Sequence, residues 1–224
     1  MKRTFSTSGT LGDTYTMVIK LYDLAKKANI DVYHHTNDYN WQLQIQELYS
    51  LLPNITVNFV DKPDTKRSLL NPNFVKKDEA DLDHTPFPKY NLTLNPHLIE
   101  CTESGLDFVC VSPRSGKNGE DLMIPEEHLS CIYQYNKTLY VGMDTTISTT
   151  YCDLNMLGTS NLKHSLAMIT QCKEFHGYQG LCCFFALSQR IPTNIYYKDA
   201  NERDAVMTRL HPEWLQYVKG IIKI

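Results

Sequence analysis

The sequence predicts an α/β protein made of two alternating halves. Strand-like apolar runs alternate with helix-spaced apolar residues over residues 4–60, and the same alternation returns over residues 107–197. Between them lies a stretch broken by prolines. With 224 residues, 42% hydrophobic and 21% charged, the chain is large enough for one sizeable core or two small ones.

The first half opens on a short strand, Thr4 to Thr7, and the turn Ser8-Gly9-Thr10-Leu11-Gly12-Asp13. Met17, Leu21, Leu24, Ala25 and Ala28 then recur at helical spacing. A second strand runs from Ile30 to His34. Trp41, Ile45, Leu48 and Leu52 mark a second helix that Pro53 ends, and Ile55 to Val60 is a third strand. Connections of this length favour a parallel βαβαβ sheet. From 61 to 104 the prolines Pro63, Pro72, Pro86, Pro88 and Pro96 and the charged run Lys76 to Glu79 predict a long irregular connection.

The second half begins with a strand at Asp107 to Ser112. A turn spans Pro113 to Gly119, and Pro125-Glu126-Glu127 reads as the first turn of a helix. Thr138 to Gly142 is a strand, a short one lies near Leu154 to Leu157, and Asn161 caps a helix through Leu162, Leu166 and Ile169. Glu174-Phe175-His176 is a strand that leads through a Gly turn into a helix ending near Leu187, followed by a strand at Thr193 to Tyr197. Beyond Asp199 the tail reads as helical. The expected organisation is an N-terminal half with its connection (1–104), a C-terminal half (105–199) and a helical tail (200–224).

Bulk properties narrow the function. A net charge of -3 and a pI near 6.2 provide no broad basic field, which argues against a long nucleic acid as partner without excluding one. The N-terminus lacks the apolar segment of a signal peptide, and the longest apolar run falls far short of the roughly 20 residues that span a bilayer. Seven cysteines, an odd number with Cys182 and Cys183 adjacent, fit reduced thiols. A cytoplasmic location is expected. No Cys/His ligand spacing is present, so no metal site and no cofactor are expected.

Three stretches carry chemistry. Gly9-Thr10-Leu11-Gly12-Asp13 stands between a strand and a helix, where free N–H groups and the helix dipole favour anions. Gly12 permits close backbone approach there. Asp13 can serve as a general base, or it can simply stabilise the helix N-terminus. Ser112-Pro113-Arg114-Ser115-Gly116-Lys117-Asn118-Gly119 follows a strand. Its two cations suit a diphosphate, though a solvated turn has the same composition. Phe175-His176-Gly177-Tyr178-Gln179-Gly180-Leu181 runs from a strand into an apolar helix: a second anion site, or a tight αβ turn. His34, His35 and His176 receive no role, and Cys182 and Cys183 read as buried helix residues.

In their order and spacing these stretches resemble the heptosyltransferase-like group of GT-B glycosyltransferases. The opening Gly-x-x-Gly-Asp turn at Gly9 to Asp13, the Pro-containing basic turn at Val109 to Lys117, Tyr140-Val141-Gly142, and Phe175 to Tyr197 with Ala186 and Pro192 follow that group's order. The resemblance covers residues 4–60 and 107–197. It implies two Rossmann-like halves with a central cleft, and a metal-independent, inverting transfer of a sugar from a nucleotide-diphosphate donor to an acceptor hydroxyl. Asp13 would be the base. Gly12, Ser112, Arg114, Lys117, Gly142, Gly177, Gln179, Gly180 and Leu181 would bind the donor. Where the group commonly has Asp-Thr/Ser-Gly and a following His, this chain has Tyr178-Gln179-Gly180 and Cys183. That departure keeps two other readings open: a transferase acting on a modified nucleic-acid base, and a non-catalytic nucleotide or sugar binding module.

Overall fold

The computed structural model describes residues 2–36, 41–62, 64, 107–115, 122–158, 161–210 and 212–224. Most of the expected irregular connection, from 65 to 104, lies outside them, as does Lys117. The chain forms two compact units, Met1–Leu92 and Thr93–Ile224.

The first unit is a three-stranded parallel sheet. β1 (Lys2–Ser8), β2 (Asn29–His35) and β3 (Ile55–Phe59) lie in that order, with α1 (Leu11–Ala25) and α2 (Gln42–Tyr49) as the crossovers. The expected βαβαβ unit is present. Apolar residues at helical spacing in α1 explain its placement: Met17, Val18, Leu21 and Leu24 are buried. Ile45, Leu48 and Tyr49 of α2 join Phe5, Ile30 and Val32 in the core.

The second unit holds a six-stranded parallel sheet and a small hairpin. Its strands are β4 (Phe108–Ser112), β7 (Lys137–Tyr140), β8 (Leu154–Asn155), β9 (Glu174–Tyr178), β10 (Thr193–Tyr197) and β11 (Val218–Lys223). β5 (Arg114–Ser115) and β6 (Leu122–Met123) pair antiparallel. The helices are α3 (Glu126–Tyr135), α4 (Leu162–Thr170), α5 (Leu181–Ser188), α6 (Ala200–Arg209) and α7 (Pro212–Leu215). Across the sheet the order is β11-β10-β9-β4-β7-β8. Chain order therefore starts in the middle at β4, runs outward through β7 to β8, then returns to the far side of β4 with β9. This is the doubly wound pattern, and its direction reverses between β4 and β9.

Two expectations need correction here. The tail is not wholly helical: after α6 and α7 it ends in β11, which pairs parallel with β10. Lys219 and Gly220 dock that strand. The Lys219 Nζ donates to Glu174 Oε2 at 2.5 Å, and a Cβ on Gly220 would stand 2.8 Å from Asn194 Oδ1. Gly177 belongs to β9 rather than to the turn after it, in register with Ser112.

Candidate functional site

At the N-terminus of α1 the chain supplies its own carboxylate. Asp13 Oδ2 accepts from the Thr10 N–H at 3.2 Å, and Thr14 N–H donates to the Thr10 carbonyl at 2.9 Å. Gly9 has φ +124°, and a Cβ there would stand 2.5 Å from Asp13 Oδ2, so only glycine fits beneath that carboxylate. The Gly9 carbonyl accepts from His34 Nε2 at 3.2 Å, while the Tyr49 hydroxyl lies 3.4 Å from Nδ1. Burial lowers the His34 pKa below its ordinary value, which keeps the ring neutral in this arrangement. Gly12 is buried in the first turn of α1. The helix-stabilising role of Asp13 is therefore visible in the hydrogen bonds.

In the second unit the residues singled out from sequence gather at the carboxyl ends of β4, β7 and β9. Ser112 ends β4 and pairs with Gly177 of β9. The Ser112 hydroxyl also bonds the thiol of Cys182 in the first turn of α5. Burial pushes that thiol up to about 11, well short of ionising near neutrality. Arg114 follows on β5 and is half-buried; its guanidinium is ion-paired to Asp144 and donates to Thr146 Oγ1 at 3.3 Å. Asp144 and Gly142 belong to the loop after β7. One loop thus holds the arginine contributed by another strand.

The glycines sort themselves by cause. Gly142 has φ +146°, which the backbone alone requires. Gly177 is packed: a Cβ would stand 2.9 Å from the Phe175 ring and 3.3 Å from Ser112 Cβ. Gly180 has neither reason. Its backbone is extended, and a Cβ there would meet no described atom within 4 Å. Space next to a helix N-terminus that packing leaves empty is space for a ligand to approach the backbone.

That N-terminus is also uncapped. Gly180 caps α5 with no side-chain hydrogen bond, and no acidic residue stands in the first turn. In the same unit Asn161 caps α4 by accepting from His164 N–H at 2.8 Å, and Asp199 caps α6 by accepting from Glu202 N–H at 2.9 Å. Glu126 and Glu127 face the start of α3. Among the described residues, then, no side chain caps the start of α5 and no first-turn acid offsets its dipole.

Unpaired buried polar atoms point to the same place. Among the described residues the second unit leaves Tyr140 Oη, Tyr178 Oη, and both Nε2 and Oε1 of Gln179 without a partner. All sit at the carboxyl ends of β7 and β9 or in the turn that follows. Gln179 is only 6% exposed. Leaving such a group unpaired costs about 1–3 kcal/mol, which the rest of this core avoids. Sequence reading missed Tyr140 and Tyr178, because a buried tyrosine gives no sign of what its hydroxyl meets. A polar depression of about 440 Å³ lies at the opposite, amino ends of β4, β7, β8 and β9, lined by Asp107, Lys137, Asp153 and Lys173. Three of these charges already have partners: Lys173 with Asp107 at 2.9 Å, and Asp153 with the Thr138 N–H at 2.7 Å.

No family model and no curated protein sequence matches the chain. Solved structures do. E. coli ADP-heptose LPS heptosyltransferase II is 13% identical with a TM-score of 0.54, covering 100% of this chain and 90% of that one. E. coli heptosyltransferase WaaC with ADP gives 9% and 0.54, covering 100% and 91%. The same enzyme with ADP-2-deoxy-2-fluoro heptose gives 10% and 0.52, covering 100% and 93%. The chain has the heptosyltransferase fold. The GT-B class expected from the three stretches is borne out, and at these identities the likeness is one of fold. Among the described residues no helix is long and apolar enough to cross a membrane.

Proposed function

We propose that the chain is a glycosyltransferase that takes a sugar from a nucleotide-diphosphate donor. The observation that carries this reading is the uncapped N-terminus of α5, placed where the second sheet reverses its winding. Beside it stand the open space at Gly180, the unpaired Gln179 amide and the Ser112–Arg114 segment. A diphosphate supplies negative charge for a dipole that no first-turn acid offsets, and acceptors for N–H groups that no side chain caps. Arg114, and Lys117 three positions later in the sequence, would offset charge developing on the departing diphosphate. Leu181 opens the helix whose N–H groups would hold it. The transfer is metal-independent and inverting, with Asp13 taking the proton of an acceptor hydroxyl, and the protein works in the cytoplasm.

The solved structures with ADP and with an ADP-sugar analogue support this reading by fold. The test is a thermal-shift screen against ADP, UDP, GDP and CDP and their sugar conjugates, with Arg114→Ala as control. A ligand at 100 times its Kd adds roughly 2.7 kcal/mol of apparent stability. A shift confined to one nucleotide class and lost in the control supports the reading. No shift with any of them refutes it. For the bound class, transfer should persist in a chelator.

One observation favours a second reading, a binding module without catalysis: the Asp13 carboxylate already serves its own helix. Turnover lost in Asp13→Asn, with donor binding retained, would reject that reading.

A further inference from the structure

Resting on the reading of Asp13 as the base, we infer that His34 is a positioning residue for that carboxylate, acting through the single peptide group that joins Gly9 to Thr10. The carbonyl of this group lies 3.2 Å from His34 Nε2, and its N–H donates to Asp13 Oδ2 at 3.2 Å. The peptide is trans, so the two bonds leave it on opposite sides. A carbonyl oxygen can only accept, so Nε2 carries the imidazole hydrogen. In the neutral ring Nδ1 is then an acceptor, and the Tyr49 hydroxyl donates to it at 3.4 Å. Tyr49 of α2 thereby fixes the tautomer, His34 of β2 fixes the peptide, and the peptide fixes Asp13 of α1.

Both backbone groups of Gly9 are committed to β2, since its N–H also donates to the His35 carbonyl at 3.2 Å. The turn cannot rotate without breaking its bond to His34, a side chain shut off from water. A hydrogen bond accepted at the carbonyl also polarises the amide, which strengthens the bond that its N–H donates. At the receiving end the Thr10 N–H and the Thr10 hydroxyl both reach Oδ2, the hydroxyl at 3.4 Å. Among the described residues no hydrogen bond goes to Oδ1, and Asp13 is only half-buried. One oxygen is tethered and the other is left to take a proton. Capping the helix and acting as base are therefore compatible in the same carboxylate.

Nuclear magnetic resonance on the full chain tests this. Long-range proton–nitrogen spectra of wild type must place the His34 hydrogen on Nε2; finding it on Nδ1 overturns the inference. In His34→Leu, which fills space and donates nothing, the Thr10 amide hydrogen should exchange about fivefold faster. Asp13, held in one rotamer in wild type, should average over several. His34→Gln, whose side-chain amide can donate to the same carbonyl, should restore both. With the donor that the thermal-shift screen selects, kcat should fall about tenfold in His34→Leu while the donor KM holds. If His34→Leu leaves Thr10, Asp13 or kcat as in wild type, or if His34→Gln disturbs them equally, the inference is overturned while the base reading stands. Unchanged turnover in Asp13→Asn rejects the base reading, and both fall together. Should His34→Leu fail to fold, His34→Met takes its place and must give the same loss of order.

Discussion

The starts of α1 and α5 are built from the same pattern of strand, glycine turn and helix, yet they end in opposite states. At α1 the anion is part of the chain: Asp13 sits on Gly9, holds the Thr10 N–H and completes the first turn. At the start of α5 there is no acid and no side-chain cap, and no described atom stands within 4 Å of a Cβ built on Gly180. A helix N-terminus is an anion site only while the chain leaves it unfilled. The comparison shows why motif spacing alone does not separate binding from capping: Gly-x-x-Gly-Asp looks like a binding turn, but its aspartate closes it.

Substituting the two glycines breaks or sharpens this contrast most directly. Gly9→Ala should destabilise the first unit by about 3 kcal/mol, from backbone strain at φ +124° and displacement of Asp13. Urea unfolding would show it. Gly180→Ala, by contrast, should change stability by less than about 0.5 kcal/mol while abolishing the thermal shift from nucleotide. An equally large stability loss at both glycines would end the contrast.

Asp13 and Gln179 come next. Asp13→Ala removes the acceptor of the Thr10 N–H and the charge at the dipole, and should cost about 1 kcal/mol. Asp13→Asn keeps an acceptor and should cost only about 0.3 kcal/mol, so a loss of turnover in it cannot be a loss of fold. Gln179→Leu should stabilise the second unit by about 1 kcal/mol, because it removes an amide left unpaired at both ends. Thermal melts without ligand would read both.

Each unit also buries a histidine, and both set a pH dependence. Burial lowers the pKa of His34, and burial lowers that of His176 even though Glu174 Oε1 lies 2.9 Å from its Nε2. Each is kept neutral in the folded state, so stability is fully present above about pH 6.5 and declines as the pH falls below that value. Glu174 adds a later loss. Burial pushes its carboxyl up, but Lys219 and His176 outweigh burial and hold it below the usual carboxylate range. Its contribution is present above the ordinary carboxylate pKa and disappears only as the pH falls through its lowered value. Denaturant midpoints between pH 8 and 4 should fall in that order, and His34→Gln should flatten the first decline in the first unit alone.

Period and punctuation made most of the elements legible. Alternation in Ile55 to Phe59, helical spacing from Met17 to Leu24, and Asn161 before Leu162 are local signals, and the corresponding elements are present. β11 was missed for an equally physical reason. Val218 to Lys223 is a short run interrupted by a glycine, and its place depends on Lys219 reaching Glu174, 45 residues away. Of the site, Ser112, Arg114, Gly177, Gln179 and Gly180 could be read from strand-to-helix punctuation. What separates them could not be read that way.

By itself the sequence determined the α/β class, the two alternating halves and the short stretches where backbone N–H groups could meet an anion. These follow from side-chain period and from glycine, proline and capping residues, which act within a few positions of themselves. Only the tertiary structure decided that β9 lies against β4, so that Ser112 and Gly177 become neighbours across 65 residues of chain. It also decided that Gly177 is filled by Phe175 while, among the described residues, nothing stands against Gly180 and Gln179 is buried without a partner. Those facts depend on what stands opposite each residue, and strand order sets that only once the whole sheet has formed.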